Sequence, residues 1–312
     1  MARRVAQQQG VALVSVLLVF ALITVIASEI LAVNYRDIKK TQHQFSSKQA
    51  YYYALGGESL ARQLLYRDMA SSTNKSDGFK DTWAQPLESY NINEGTMTIE
   101  IIDLQSRFNI NNLLSSNDAA DPVYLQAFKQ LQDQLDTQPS IAPALVDWLD
   151  SNQQLSAGGA EDLAYSNKTR PYLAANRALY DKTELLLLEG LSYEAYNELA
   201  EHVSVLPQGS KINLNTVTGT VLKALVPALS ASELSQIEQL QNQGGLESTA
   251  AWFNKPFAAK LKSQASLFSV SSEYFEVRVK SLYDGRVALL STTLHRNANK
   301  SEIRIMKRHH DQ

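Results

Sequence analysis

The 312-residue sequence contains no cysteine. That excludes thiol catalysis, iron–sulfur clusters and zinc sites built on thiolates. It is compatible with an oxidising compartment, where disulfides are optional. Positive charge is not in excess either. The 29 Lys and Arg residues against 32 Asp and Glu give a net charge of -3, so composition makes no electrostatic case for holding nucleic acid. The five histidines, His43, His202, His295, His309 and His310, lack metal-ligand spacing. There is no G-x-S-x-G, no phosphate-cradling glycine loop and no H-E-x-x-H. No catalytic residue is assigned, and the chain reads as a non-enzyme.

Charge is missing from one place in particular. Val11–Ala27, VALVSVLLVFALITVIA, has no ionisable side chain, and about 17 residues is the short end of what spans a bilayer as a helix. A basic leader, MARRVAQQQG, precedes it, and the first charge after it is Glu29. Three readings fit. A secretory signal peptide would end in a small-x-small cleavage site and a turn, but here the run continues into ASEILAVNYRDIKKTQHQFSSKQAYYYALGGESLARQLLYRDM without proline. An ordinary single-pass anchor is the second reading. The third is a leader cut after Gly10, so that the mature chain begins at Val11 and keeps its apolar helix. Arg3 and Arg4 place the leader on the cytoplasmic side.

One helix is expected from Val11 to about Met69, roughly 90 Å long. Phe45, Tyr53, Gly57, Leu60 and Leu64 form an apolar stripe on its outer half. Ala50, Ala54, Gly56 and Ala61 would admit a close neighbour, and Tyr51–Tyr53 read as core. Ser71–Gly78 is turn-rich and ends the helix. Thr96–Leu104 alternates as a half-buried strand, and so do Tyr274–Lys280 and Arg286–Leu294, with a hairpin turn at Asp284-Gly285. Ile303–Met306 makes a short edge strand, and the basic RIMKRHH reads as a solvated strand end. Between them, Leu113 to about Gln264 is helical. A weak repeat lays Leu191-Ser192 on Leu229-Ser230 and suggests two similar helical units. The class is therefore α+β: a long N-terminal helix packed on an antiparallel sheet, with a large all-α insertion of two small helical subdomains.

Two stretches raise binding chemistry. Asp147–Asn176 concentrates oxygen donors, namely Asp147, Asp150, Asn152, Glu161, Asp162 and Asn176, around Gly158-Gly159. Such a loop is either a polar surface loop or a site for a hard cation that takes six to eight oxygens. Lys211–Leu225, KINLNTVTGTVLKAL, looks like the start of a helix-hairpin-helix module. Its turn, VPALSASEL, lacks the glycines and basic cluster that phosphate binding needs. Asn213 and Asn215 read as turn caps.

Gly10 followed by VALVSVLLVFALITV, the near-full-length layout, and Arg107, Phe108, Asn109 and Asn111 of QSRFNINNL together resemble the K-type minor pseudopilins of the type II secretion system. The resemblance implies a pilin-like fold divided as leader 1–10, transmembrane helix 11–30, periplasmic helix and first strand 31–112, inserted domain 113–265 (subdomains about 113–208 and 209–265), and C-terminal strands 266–312. It implies cleavage after Gly10 by a prepilin peptidase, methylation of Val11, and a place at the filament tip. Most pilins carry Glu at the fifth mature position; Ser15 stands there, and a carboxylate in the bilayer is costly unless paired. DWLD and GAEDLAY are similar to the family's motifs and imply calcium in the inserted domain. Implied partners are the I-type and J-type minor pseudopilins, the major pseudopilin and the inner-membrane assembly platform, with no nucleic acid. The implied location is the inner membrane, single-pass, with the C-terminal part periplasmic. A membrane-anchored periplasmic DNA- or ligand-binding protein is the alternative.

Overall fold

The computed structural model describes residues 9–71, 76–85, 89–92 and 94–311. The leader through residue 8, including Arg3 and Arg4, lies outside them, as do residues 72–75 of the expected helix-ending turn.

Helix α1 runs Gln9–Ser71, 63 residues without a proline, which is about 95 Å. Among the described residues nothing packs against its first third. Val11, Phe20 and Val25 are 73%, 65% and 66% exposed, a surface suited to an apolar surrounding. The two hydroxyls there are satisfied within the helix: Ser15 Oγ donates to the Val11 carbonyl and Thr24 Oγ1 to the Ala21 carbonyl, both at 2.8 Å.

The outer half of α1 packs on a sheet, but not along the expected stripe. The buried line is Ala50, Ala54, Gly57, Ala61 and Leu65, spaced 4, 3, 4 and 4 as a helix face requires. Tyr53, Leu60 and Leu64 flank it half-buried, and Phe45 is exposed against the Tyr283 ring. Small residues hold the centre because the sheet comes close. A Cβ on Gly57 would stand 2.7 Å from Met97 Sδ and from Val279 Cγ1, whereas one on Gly56 would meet nothing within 4 Å. Gly56 is thus not the contact glycine. Of the three tyrosines, Tyr52 is exposed and only Tyr51 and Tyr53 touch the sheet side.

The sheet contains β1 (Tyr90–Ile92), β2 (Gly95–Asp103), β7 (Tyr274–Tyr283), β8 (Arg286–Asn297) and β9 (Glu302–Asp311), antiparallel in the order β1-β2-β7-β8-β9. Asp284 (φ 45°) and Gly285 (φ 72°) close the β7–β8 hairpin, the two positive φ values that a type I′ turn needs. β9 is ten residues long, not four, and its register shifts at Thr293/Leu294. Its basic end is not a solvated tail. Arg308 Nε and Nη2 donate to Glu58 of α1 at 2.8 and 2.7 Å, and His310 lies 4.3 Å from the Tyr51 ring.

Asp103 at the end of β2 pairs with Phe275 at the start of β7, so everything between is one excursion from the sheet and back. It contains β3 (Phe108–Asn109), α2 (Pro122–Gln134), α3 (Ala142–Leu149), α4 (Asp162–Ser166), α5 (Tyr193–Ala200), β4 (Val203–Ser204), β5 (Ile212–Asn213), α6 (Gly219–Leu225), α7 (Ala231–Asn242), α8 (Thr249–Phe253) and β6 (Phe268–Ser269). Its apolar core, from Phe108 to Phe268, is separate from the one under α1.

The excursion is internally duplicated, though not in the expected register. Ser192 and Ser230 resemble each other because both cap helices, accepting from Ala195 N and Glu233 N. The architectural repeat lies elsewhere. β3 pairs in parallel with β4, and β5 in parallel with β6. Asn111 Nδ2 donates to the Leu179 and Leu206 carbonyls while its Oδ1 accepts from Leu179 N. Asn215 does the same with Leu246 and Val270: its Nδ2 donates to both carbonyls and its Oδ1 accepts from Leu246 N.

Candidate functional site

Gly10 and Val11 lie in the first turn of α1. Ser15 follows one turn later with its hydroxyl tied to Val11. The span therefore carries no charge and no unmet side-chain donor from Val11 to Ala27, and needs no partner inside a bilayer.

The acidic loop forms between α3 and the segment that returns to it. Helix α3 carries Asp147 on its inner side and is followed by its C-cap, Asp150; the chain then turns through Gly158-Gly159 into α4, whose N-cap is Glu161 and whose first residue is Asp162. Asn176, held in the left-handed region at φ 47°, is anchored by its own N–H to the Trp148 carbonyl at 3.0 Å. Asp147, Asp150 and Glu161 are 0%, 5% and 7% exposed. Among the described residues none of the three has an ion-pair partner. Asp147 accepts from Ser156 N at 3.1 Å and Asp150 from Asn152 N at 3.1 Å. Both carboxylate oxygens of Glu161 and Oδ1 of Asn176 are buried without any hydrogen bond.

This is an expensive arrangement for the chain alone. Burial, then the negative charges of Asp147, Asp150 and Asp162, push the Glu161 carboxyl from 4.5 up to about 7. Burial raises Asp150 as well, with Asp147 and Asp118 adding to it. A Cβ on Gly159 would fall 1.9 Å from Asp147 Oδ2, so only glycine lets the loop close over that carboxylate. Hard, acceptor-only donors with oxygens left unpaired are what calcium binds, and the residues fit it. Asp147, Asp150, Glu161, Asp162 and Asn176 would hold the ion. Asn152 does not join them: it is exposed and its Oδ1 is used by Gln154 N at 2.7 Å. Asp118, some thirty residues upstream, reaches the same corner, accepting from Ser151 N at 3.0 Å. Nothing in its spacing announced it.

A tighter acidic trio also exists among the described residues. Asp68, Asp77 and Asp81 have carboxylate oxygens within 4.8 Å of one another. Here the counter-charge is built in. Arg296 pairs with Asp68 at 2.9 Å and with Asp77, donates to the Ser272 carbonyl, and stacks 4.7 Å over Phe275. The trio clamps the segment after α1 onto β8.

The helix-hairpin-helix-like segment supplies no phosphate site. The two lysines at its turn are spent on the protein itself: Lys223 donates to the Pro227 and Leu229 carbonyls, and Lys260 donates to the Ala228 carbonyl and pairs with Glu233. Asn213 caps its turn, accepting from Asn215 N at 3.0 Å, and bridges to Asp103 and Ser272.

Comparison with known proteins gives a consistent result. Residues 106–208 match the family model described as type II secretion system, protein K. The chain is 34% identical to type II secretion system protein K of Klebsiella pneumoniae over 86% of either chain. It is 30% identical to the protein of that name from Pseudomonas aeruginosa, over 96% of this chain and 92% of the relative. Among solved structures, it is similar to a chain of the GspK-GspI-GspJ complex from enterotoxigenic Escherichia coli, with a TM-score of 0.77, 24% identity, and coverage of 88% of this chain and 99% of that one. That likeness is one of fold.

Proposed function

This chain belongs to the type II secretion system protein K family, and from that membership we propose that it is the minor pseudopilin at the tip of the pseudopilus. It initiates and caps the filament together with I-type and J-type minor pseudopilins, for export of folded proteins across the outer membrane. The leader is removed after Gly10, Val11 becomes the methylated N-terminus, and the chain stays in the inner membrane with residues beyond α1's apolar third in the periplasm.

The observation that carries the tip assignment is Ser15. In a helical filament, a carboxylate at that depth needs a cation from the neighbouring subunit. Ser15 instead bonds to its own helix at 2.8 Å, so nothing above it is required. Bulk supports the same position, since the excursion from Leu104 to Glu273 stands on the end of one sheet. The fold-level likeness to a chain crystallised with GspI and GspJ supports the choice of partners.

Calcium belongs to the same proposal. Bound in the α3–α4 corner, it supplies the positive charge that Asp147, Asp150 and Glu161 lack, and so keeps the inserted domain folded. No catalysis is asked of the chain.

Co-purification tests the reading. Solubilised from cells expressing the I-type and J-type proteins, this chain should elute with both in a single complex. Its N-terminal peptide should begin at Val11 with one methyl group. Elution alone, with the first ten residues attached, would overturn the assignment.

A further inference from the structure

A cleft of about 580 Å³ separates the outer face of the sheet from the first half of the insertion. Its sheet wall comes from β7, β8 and β9 residues that point away from α1. Its other wall comes from the Ala178–Thr183 stretch, Tyr196 and Ser204–Pro207. Most of the lining is apolar, with Leu179, Val205, Leu206, Tyr274 and Met306 prominent. None of the residues assigned to calcium, to the membrane or to the tip position contributes to it.

The polar part of the cleft is short of acceptors. Ser204 lines it, is 0% exposed, and its Oγ has no hydrogen bond. Lys182 lines it too; its Nζ has one long bond, to the Ala200 carbonyl at 3.3 Å, and no carboxylate in ion-pairing range among the described residues. Burial and then the positive charge of Arg107 pull its pKa below the usual lysine value. Arg107 itself is 7% exposed and leaves Nη1 without a hydrogen bond, 3.9 Å from Glu276.

Glu276, the acid in this wall, already holds one donor on each oxygen and lies 3.9 Å from Arg107. It accepts from Ser291 Oγ at 2.8 Å and Arg278 Nη2 at 3.0 Å. An amine would have to share that carboxylate with Ser291, Arg278 and Arg107. Asp181, at the mouth, is likewise taken by Lys307 and His309. A dianion would meet more of the repulsion of Glu276 than a monoanion does, and a single carboxylate matches one half-buried ammonium and one buried hydroxyl.

We propose that this cleft binds an apolar chain that ends in a carboxylate, with Lys182 and Ser204 holding the carboxylate and Leu179, Leu206 and Met306 the chain. A protein C-terminus and a free fatty acid share this chemistry. The site is independent of the tip reading, since it uses neither Ser15 nor the calcium corner.

The chain has four methionines, and two of them report on this without ambiguity. Met306 lines the cleft, and Met97 is buried between α1 and the sheet. With the full chain in nanodiscs and methyl-13C methionine, acetyl-Leu-Ala-Phe with a free carboxyl, its amide, and decanoate would each be titrated. The free acid or decanoate should shift the Met306 methyl saturably and leave Met97 in place. The peptide amide should bind at least about tenfold more weakly than the acid. Lys182→Gln should bring acid affinity down to that of the amide, and Ser204→Ala should weaken it in the same direction. Response to the peptide alone identifies a protein terminus; response to decanoate alone identifies a fatty acid. No Met306 shift with any probe, or equal binding of acid and amide, would overturn the proposal, and neither comparison depends on a variant folding.

Discussion

Removing divalent cations should cost the inserted domain a measurable share of its stability, and more at high pH than at low. The size follows from Glu161. Its carboxyl moves from 4.5 to about 7 in the metal-free fold, which amounts to about 3 kcal/mol against folding once the pH exceeds that value. The sign is fixed by the direction of the shift. A raised carboxyl favours the protonated folded state, so the Glu161 penalty is absent below about 4.5 and is complete once pH has risen through about 7. Calcium should reverse this by binding the ionised form. At a concentration about a hundred times its Kd it returns about 2.7 kcal/mol, or roughly 5–10 °C in Tm for a domain of this size. Thermal melts of the full chain in calcium and in chelator, at pH 8 and pH 5.5, measure the difference. It should be large at pH 8 and shrink at pH 5.5, where protons already neutralise Glu161. Glu161→Gln should raise the metal-free melting temperature at pH 8 and abolish the response to calcium. Identical melts with and without chelator at pH 8 would refute the reasoning, because the buried carboxylates would then have some other counter-charge.

Other perturbations test the scaffold. Arg296→Met removes the counter-charge of Asp68 and Asp77 beneath the post-helix segment and should cost about 3–5 kcal/mol in chemical denaturation, less as the pH falls and Asp68, whose carboxyl burial raises to about 6, takes up a proton. Gly57→Val forces a side chain into Met97 and Val279 and should destabilise by about 1–3 kcal/mol. Gly56→Ala, which meets open space, should stabilise by about 0.5–1 kcal/mol in the same urea titration. Asn111→Ala and Asn215→Ala each orphan buried backbone groups. Each should lose about 2–4 kcal/mol, read as faster proteolysis of the corresponding half of the insertion.

Much of the fold is legible in the residues because local pattern and tertiary role agree there. The charge-free run, the alternation in β7 and β8 and the Asp284-Gly285 turn each have one physical solution. The errors fall where partners come from far away. The buried face of α1 is built of alanine and glycine, so a search for large apolar side chains finds its flanks and not its centre. The basic end of β9 looks solvated until Glu58 and Tyr51, some 250 residues earlier, are seen beneath it. The duplicated Asn111 and Asn215 staples are hidden because their partners sit at different sequence distances in the two halves. At the acidic corner, residue type picks out a loop whose carboxylates the fold brings together. Burial then separates Asp147, Asp150 and Glu161 from the exposed Asn152, and a bond from Ser151 N brings in the exposed Asp118, which no spacing rule would have selected.

The tip position is the claim on which the functional account rests, and counting where the chain sits on assembled pseudopili tests it directly. Immunogold labelling of an epitope inserted in the exposed 151–155 loop should place particles at one end of each filament and nowhere along the shaft. Particles spaced along the shaft would contradict the account, since a subunit with this insertion and with Ser15 in its span would then be stacking like any other.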